Sequence, residues 1–168
     1  MGEKGNTWQN NLRFGLRTAN SVYRHRESLF AVDESKTTLG KTWQITSRFT
    51  WEAPQTVAGM MAYDFYTTFG SIPGVEYHKG ITFIKSKLMR SGLSLGNVAI
   101  LNKNPSQFLY KHEFGHTIQS RYLGPLYLPV ATLGSGISFA YDFITRGGGW
   151  NYYILNEAWA TQLGNTRW

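Results

Sequence analysis

The sequence predicts an α+β fold in one domain, residues 1–168, with a small sheet built first and helices packed against it afterwards. Three observations lead there. Two short stretches, Val75 to Lys87 and Ser91 to Asn102, carry the apolar and β-branched runs of strands. The next stretch, Asn104 to Gly124, has the start and stop of a single helix. Beyond Pro125 the chain is strongly apolar but broken by Pro129, Gly134 and Gly136. Residues 1–103 therefore form the sheet-containing half and residues 104–168 the helical half, with a site between them. The composition agrees: 42% hydrophobic and only 16% charged residues suit a folded core and argue against disorder.

Taken in order, residues 1–50 are polar and aromatic and predict short helices at best. Leu12, Leu16, Ala19, Tyr23 and Arg26 trace a broken helical stripe. The triplet Gly40-Lys41-Thr42 lacks the earlier glycine of a phosphate loop, with Ser35 in its place. From Trp51 to Gly70 a helix is expected, with Pro54 in its first turn and an apolar face made by Val57, Met60, Met61 and Tyr63 to Phe65. Val75 to Lys87 reads as a strand or hairpin, with Tyr77, Ile81 and Phe83 inward and His78 outward. A further strand, Leu95 to Leu101, should run directly into the next helix. Residues 126–144 predict a buried helix behind the site, being too interrupted for the roughly 20 apolar residues of a membrane span. Gly147 to Gly149 read as a turn, and Tyr153, Ile154, Ala158 and Leu163 as an amphipathic helix stopped by Gly164.

The chemistry concentrates in His112-Glu113-Phe114-Gly115-His116. Asn104 is the expected N-cap, Pro105 the first helical residue, and Gly124 with Pro125 the stop. Histidines four apart on a helix share a face, so both imidazoles reach one point. That is the geometry of two zinc ligands, with Glu113 offset around the helix beside a bound water. Gly115 lets another element approach closely. The chain has four histidines, none after His116, and no cysteine. A third ligand from a later element must therefore be Asp142 or Glu157, and Glu157 has the better helical surroundings. Gln119 and Tyr122 stand where a metzincin needs Gly and His, which excludes that class. The missing cysteine excludes the peptide deformylases, disulfide scaffolds and cysteine-based fingers.

HEFGH followed by Asn156-Glu157-Ala158-Trp159-Ala160 resembles the gluzincin branch of the zinc metallopeptidases. The flanking residues, Gln119-Ser120 and Gly124 to Val130, are similar to small bacterial zincin-like domains, some attached to toxin-type proteins. The resemblance spans Asn104 to Gly164. It implies a zincin-like fold, Zn2+ held by His112, His116 and Glu157, Glu113 as catalytic base, and a peptide or protein substrate. Where the family often has an Asp orienting a ligand histidine, this chain has Thr161. The family commonly receives substrate along the strand before the helix, here Ser94 to Asn102, with Gly96 and Asn97 as candidate substrate-binding residues. Tyr122, Tyr127, Tyr152 and Tyr153 are candidate oxyanion donors. The alternative to an enzyme is a non-catalytic interaction or toxin-associated module.

The net charge of +7 is scattered rather than gathered in a stripe, so no nucleic-acid partner is expected. The first residues lack the apolar core of a signal peptide. The resemblance is compatible with a part of a larger exported protein.

Overall fold

The computed structural model describes residues 15–16, 23–69, 74–134, 144 and 155–168. Within it the two most apolar strands sit at the centre. Ile81 to Ile84 and Val98 to Leu101 are all buried to within 1% exposure. Strands apolar on both faces need cover on both sides, and they get it here. The strands are β1 (Gly74–His78), β2 (Ile81–Ser86), β3 (Gly92–Leu95) and β4 (Val98–Asn102), and the sheet order is β1-β2-β4-β3. β2 and β4 pair in parallel, Phe83 beside Ala99, while β1 and β3 flank them antiparallel.

The helices are α1 (residues 23–30), α2 (Thr38–Phe49), α3 (Ala53–Phe69), α4 (Gln107–Leu123), α5 (residues 127–134) and α6 (Leu155–Arg167), with a 3-10 turn at Gly124–Leu126. Strand alternation divides the core between them. Ile81, Phe83, Ala99 and Leu101 pack on Phe114 of α4, with Trp168 at the rim. Ile84, Val98 and Ile100 face the other way, onto Tyr63 of α3. The α+β class is therefore present, with α3 on one face of the sheet and α4 on the other.

Several expectations change. The strand expected from Leu95 to Leu101 is a hairpin, because Gly96 adopts φ 59° and turns the chain. This makes β4 an interior strand and leaves β3 as the edge. Tyr77 is 42% exposed and its hydroxyl bonds Glu27, whereas His78 packs its ring 4.4 Å from that of Trp168. In α3 the buried residues are Gln55, Thr56, Gly59 and Tyr63, while Val57, Met61 and Phe65 are exposed. That helix is apolar nearly all round, so periodicity did not mark its inner face. Gly164 lies inside α6 instead of ending it. Residues 135–143 and 145–154, with the expected turn at Gly147 to Gly149, lie outside the described residues.

The triplet Gly40-Lys41-Thr42 lies in α2, a three-turn helix where only short ones were expected, and it runs against the usual pattern. Leu39, Trp43 and Phe49 are exposed; Gln44, Ser47 and Arg48 are buried. Arg48 explains the inversion. Its guanidinium donates to the carbonyls of Ser28 and Leu29 at the end of α1, and to Gly80 O (2.7 Å) in the β1–β2 turn. A cation at a helix C-terminus meets both unpaired carbonyls and the negative end of the dipole.

Two outcomes follow for stability. Arg48→Leu leaves those carbonyls buried without a donor and should lower unfolding free energy by about 2–4 kcal/mol, measured by urea titration. Ala99→Pro, on an interior strand, should abolish the cooperative unfolding transition, since a ladder bond and its geometry are lost together.

Candidate metal centre

α4 begins two residues later than expected. Ser106, not Asn104, is the N-cap, its Oγ accepting from Leu109 N at 3.2 Å. The stop is as expected: Gly124 caps the helix with φ 54° and donates its N–H to Ser120 O. Along this helix His112 and His116 share a face, with their Nε2 atoms 3.2 Å apart.

Glu157 arrives from α6. Its Oε2 lies 3.1 Å from His112 Nε2 and 3.2 Å from His116 Nε2, so the three candidate donors lie within 4.8 Å of one another. What brings the helix that close is the absence of two side chains. A Cβ on Gly115 would lie 1.8 Å from Ala160 O, and one on Gly164 would lie 1.9 Å from Lys111 O. The two backbones touch directly. Asp142, the other candidate third ligand, lies outside the described residues.

The donor set fits a divalent transition-metal ion. Two imidazoles and one carboxylate are the nitrogen and oxygen ligands such ions take, and three protein donors leave a further position open. The ring nitrogens facing away are already engaged: His112 Nδ1 is 2.9 Å from Thr161 Oγ1, and His116 Nδ1 is 2.8 Å from Gln119 Oε1. Thr161, one turn beyond Glu157 on α6, thus contacts a candidate ligand histidine from the position where the resemblance implies an Asp.

Electrostatics bind the group together. Burial by itself would raise the Glu157 carboxyl, but its bonds to His112 and His116 prevail and hold it at about 2. Burial disfavours a charged His116, yet Glu157 and Glu113 outweigh it and raise its pKa. Glu113, 4% exposed, is pushed up by desolvation against the pull of His116 and Ser94. Ser94 of β3 donates to Glu113 Oε2 at 2.7 Å. The carboxylate also crosses Gly92, where a Cβ would lie 2.1 Å from Oε1.

These residues line one pocket of about 580 Å³, walled otherwise by apolar side chains such as Leu93, Phe108, Leu109 and Leu128. Of the four candidate tyrosines, Tyr127 is in it, 4% exposed and donating to Ser94 O at 3.2 Å. Burial, then the charges of Glu113 and Glu157, raise its pKa. Tyr122 is 56% exposed and stacks on Trp159; Tyr152 and Tyr153 lie outside the described residues. Of the buried helix expected over residues 126–144, α5 lines this pocket with Tyr127, Leu128, Ala131 and Thr132, and residues 135–143 lie outside the described residues.

Gly96 and Asn97 are elsewhere. A Cβ on Gly96 would press on the backbone of Thr56 at 2.9 Å, and Asn97 donates to Ser28 O at 2.8 Å. Both serve the packing of the hairpin against α1 and α3, and neither lines the pocket. Sequence reasoning passed over Ser94, Gly92 and the contact made by Gln119. Only Gln119 had a local signal, its position three residues after His116 on the same helix face.

Compared with protein-family models, with curated proteins and with solved structures, the chain matches none. Its chemistry is read from the site itself. Titration with zinc as a probe should give about one ion per chain. His116→Ala and Glu157→Ala should each bring metal content close to zero, measured by elemental analysis after gel filtration. Full retention in Glu157→Ala would exclude that ligand.

Proposed function

We propose that this chain is a zinc-dependent hydrolase of zincin-like fold, a metallopeptidase of gluzincin type. The observation that carries the reading is Glu113: a buried carboxylate, held by a serine, opening on the same pocket as His112, His116 and Glu157. A metal site with a purely structural role has no use for such a base.

His112, His116 and Glu157 would hold a zinc ion, which when bound would supply a Lewis acid for a carbonyl and for water. The remaining work falls to the chain. Glu113, with its pKa raised by burial, takes the proton of the attacking water and returns it to the departing amine, so that amide and water become carboxylic acid and amine. Ser94 fixes Oε2, and Oε1 lies over Gly92 in the same pocket. Tyr127, with a hydroxyl kept protonated by burial, would turn from Ser94 O to donate to the negative charge that develops on the carbonyl oxygen.

The edge strand suits an extended substrate. Asn102 N donates to Ser91 O, and pairs alternate along an antiparallel ladder, so the backbone groups of Gly92 and the N–H of Ser94 face outward, while Ser94 O is taken by Tyr127. A peptide laid beside β3 would take its main-chain bonds there and its side-chain preference from the apolar walls.

Glu113→Gln preserves shape and removes the base. Zinc content should be unchanged while cleavage of a mixed peptide library falls by at least roughly 10²-fold. A zinc-loaded wild-type chain that cleaves none of the library would favour the non-catalytic module.

A further inference from the structure

Gln119 is 1% exposed, and its two ends face different helices. Its Nε2 donates to Asn156 O, the carbonyl of the residue before Glu157, and its Oε1 lies 2.8 Å from His116 Nδ1. A carbonyl oxygen only accepts, so the NH2 end of the amide must face Asn156 and the oxygen end must face the histidine. This orientation leaves the neutral imidazole, the form that binds a metal ion, one choice. Nδ1 carries the hydrogen and donates it, and the Nε2 lone pair is left for the point shared with His112 Nε2 and Glu157 Oε2, each 3.2 Å away.

We propose that Gln119 is a positioning residue that locks the tautomer of His116 and, through the Asn156 carbonyl, sets the spacing between His116 and Glu157. One neutral side chain then prepares two ligands carried by two helices. The partner of His112 cannot do the same, because the Thr161 hydroxyl both donates and accepts and so imposes no tautomer. A glutamate at position 119 would satisfy the histidine but present no donor to Asn156 O. It would also add a third carboxylate beside a site that already holds Glu113 and Glu157. Only an amide of this length answers both ends. The inference rests on the metal-site reading and does not require hydrolysis.

The experiment combines nuclear magnetic resonance of the histidine ring nitrogens with zinc affinity from chelator competition. In the wild-type chain His116 should show a slowly exchanging Nδ1–H close to the Gln119 side chain. In Gln119→Leu and Gln119→Met that resonance should be lost and zinc affinity should fall about 10–100-fold, with the urea midpoint showing a folded domain. Hydrogen on Nε2 rather than Nδ1 in the wild type would overturn the proposal, and that spectrum decides even where neither variant folds. A folded variant with wild-type zinc affinity would overturn it too, as would a wild-type chain that takes up no zinc. Loss of affinity in the variants, in a chain that cleaves no peptide, would support the lock while removing the peptidase reading.

Discussion

The site depends on the backbone contact between α4 and α6. Gly115 faces Ala160 O and Gly164 faces Lys111 O at distances no Cβ could share, so the two helices lie closer than side chains would permit. Glu157 and Thr161, on the face of α6 turned to α4, then reach His112, and Glu157 reaches His116 as well. Helix axes usually sit 8–10 Å apart according to the side chains between them. Removing two side chains brings a carboxylate within bonding range of two imidazoles on another element. No loop has to be ordered for this, and elements of regular structure hold such a constellation more firmly than loops do.

That proximity gathers charge in a buried place. Glu113 and Glu157 are two carboxylates close to one point, and burial disfavours ionising either. The structure treats them differently. Glu157 is held ionised by the two histidines, whereas Glu113 has a serine hydroxyl and a largely apolar surrounding. Two carboxyl groups in neighbouring environments therefore have opposite tendencies, one suited to hold a cation and the other to exchange a proton. A divalent ion would balance the pair, in keeping with the fit of the donor set.

The other side of the sheet shows what keeps this arrangement in place. α2 turns Gln44, Ser47 and Arg48 inward; Gln44 and Arg48 tie the end of α1 and the β1–β2 turn to the body, and Ser47 bonds Glu52. The β3–β4 turn is fixed from the same side by Asn97 and Ser28. With both hairpins anchored, β3 is set at the sheet edge, where Ser94 meets Glu113 and Tyr127. Among the described residues no helix is long and apolar enough to cross a membrane.

The sequence by itself determined the elements whose information is local. Histidines four apart on a helix must share a face, whatever surrounds them, and the lack of any cysteine, or of any histidine after His116, narrowed a third donor from a later element to two acids. The stop at Gly124 is equally local, since a helix end is set by a few neighbouring residues, whereas Val75 to Lys87 stayed open between strand and hairpin until Lys79 and Gly80 took positive φ. Only the tertiary structure decided which strand is the edge, because a single φ at Gly96 converts one long strand into a hairpin and exchanges interior for rim. It alone placed Gly96 and Asn97 against α1 and α3, and brought Ser94, Gly92 and Tyr127 to Glu113 from distant parts of the chain. It alone showed that α2 buries its polar face, for periodicity reports that a helix has two faces, and the partners available to Arg48 settle which one turns inward.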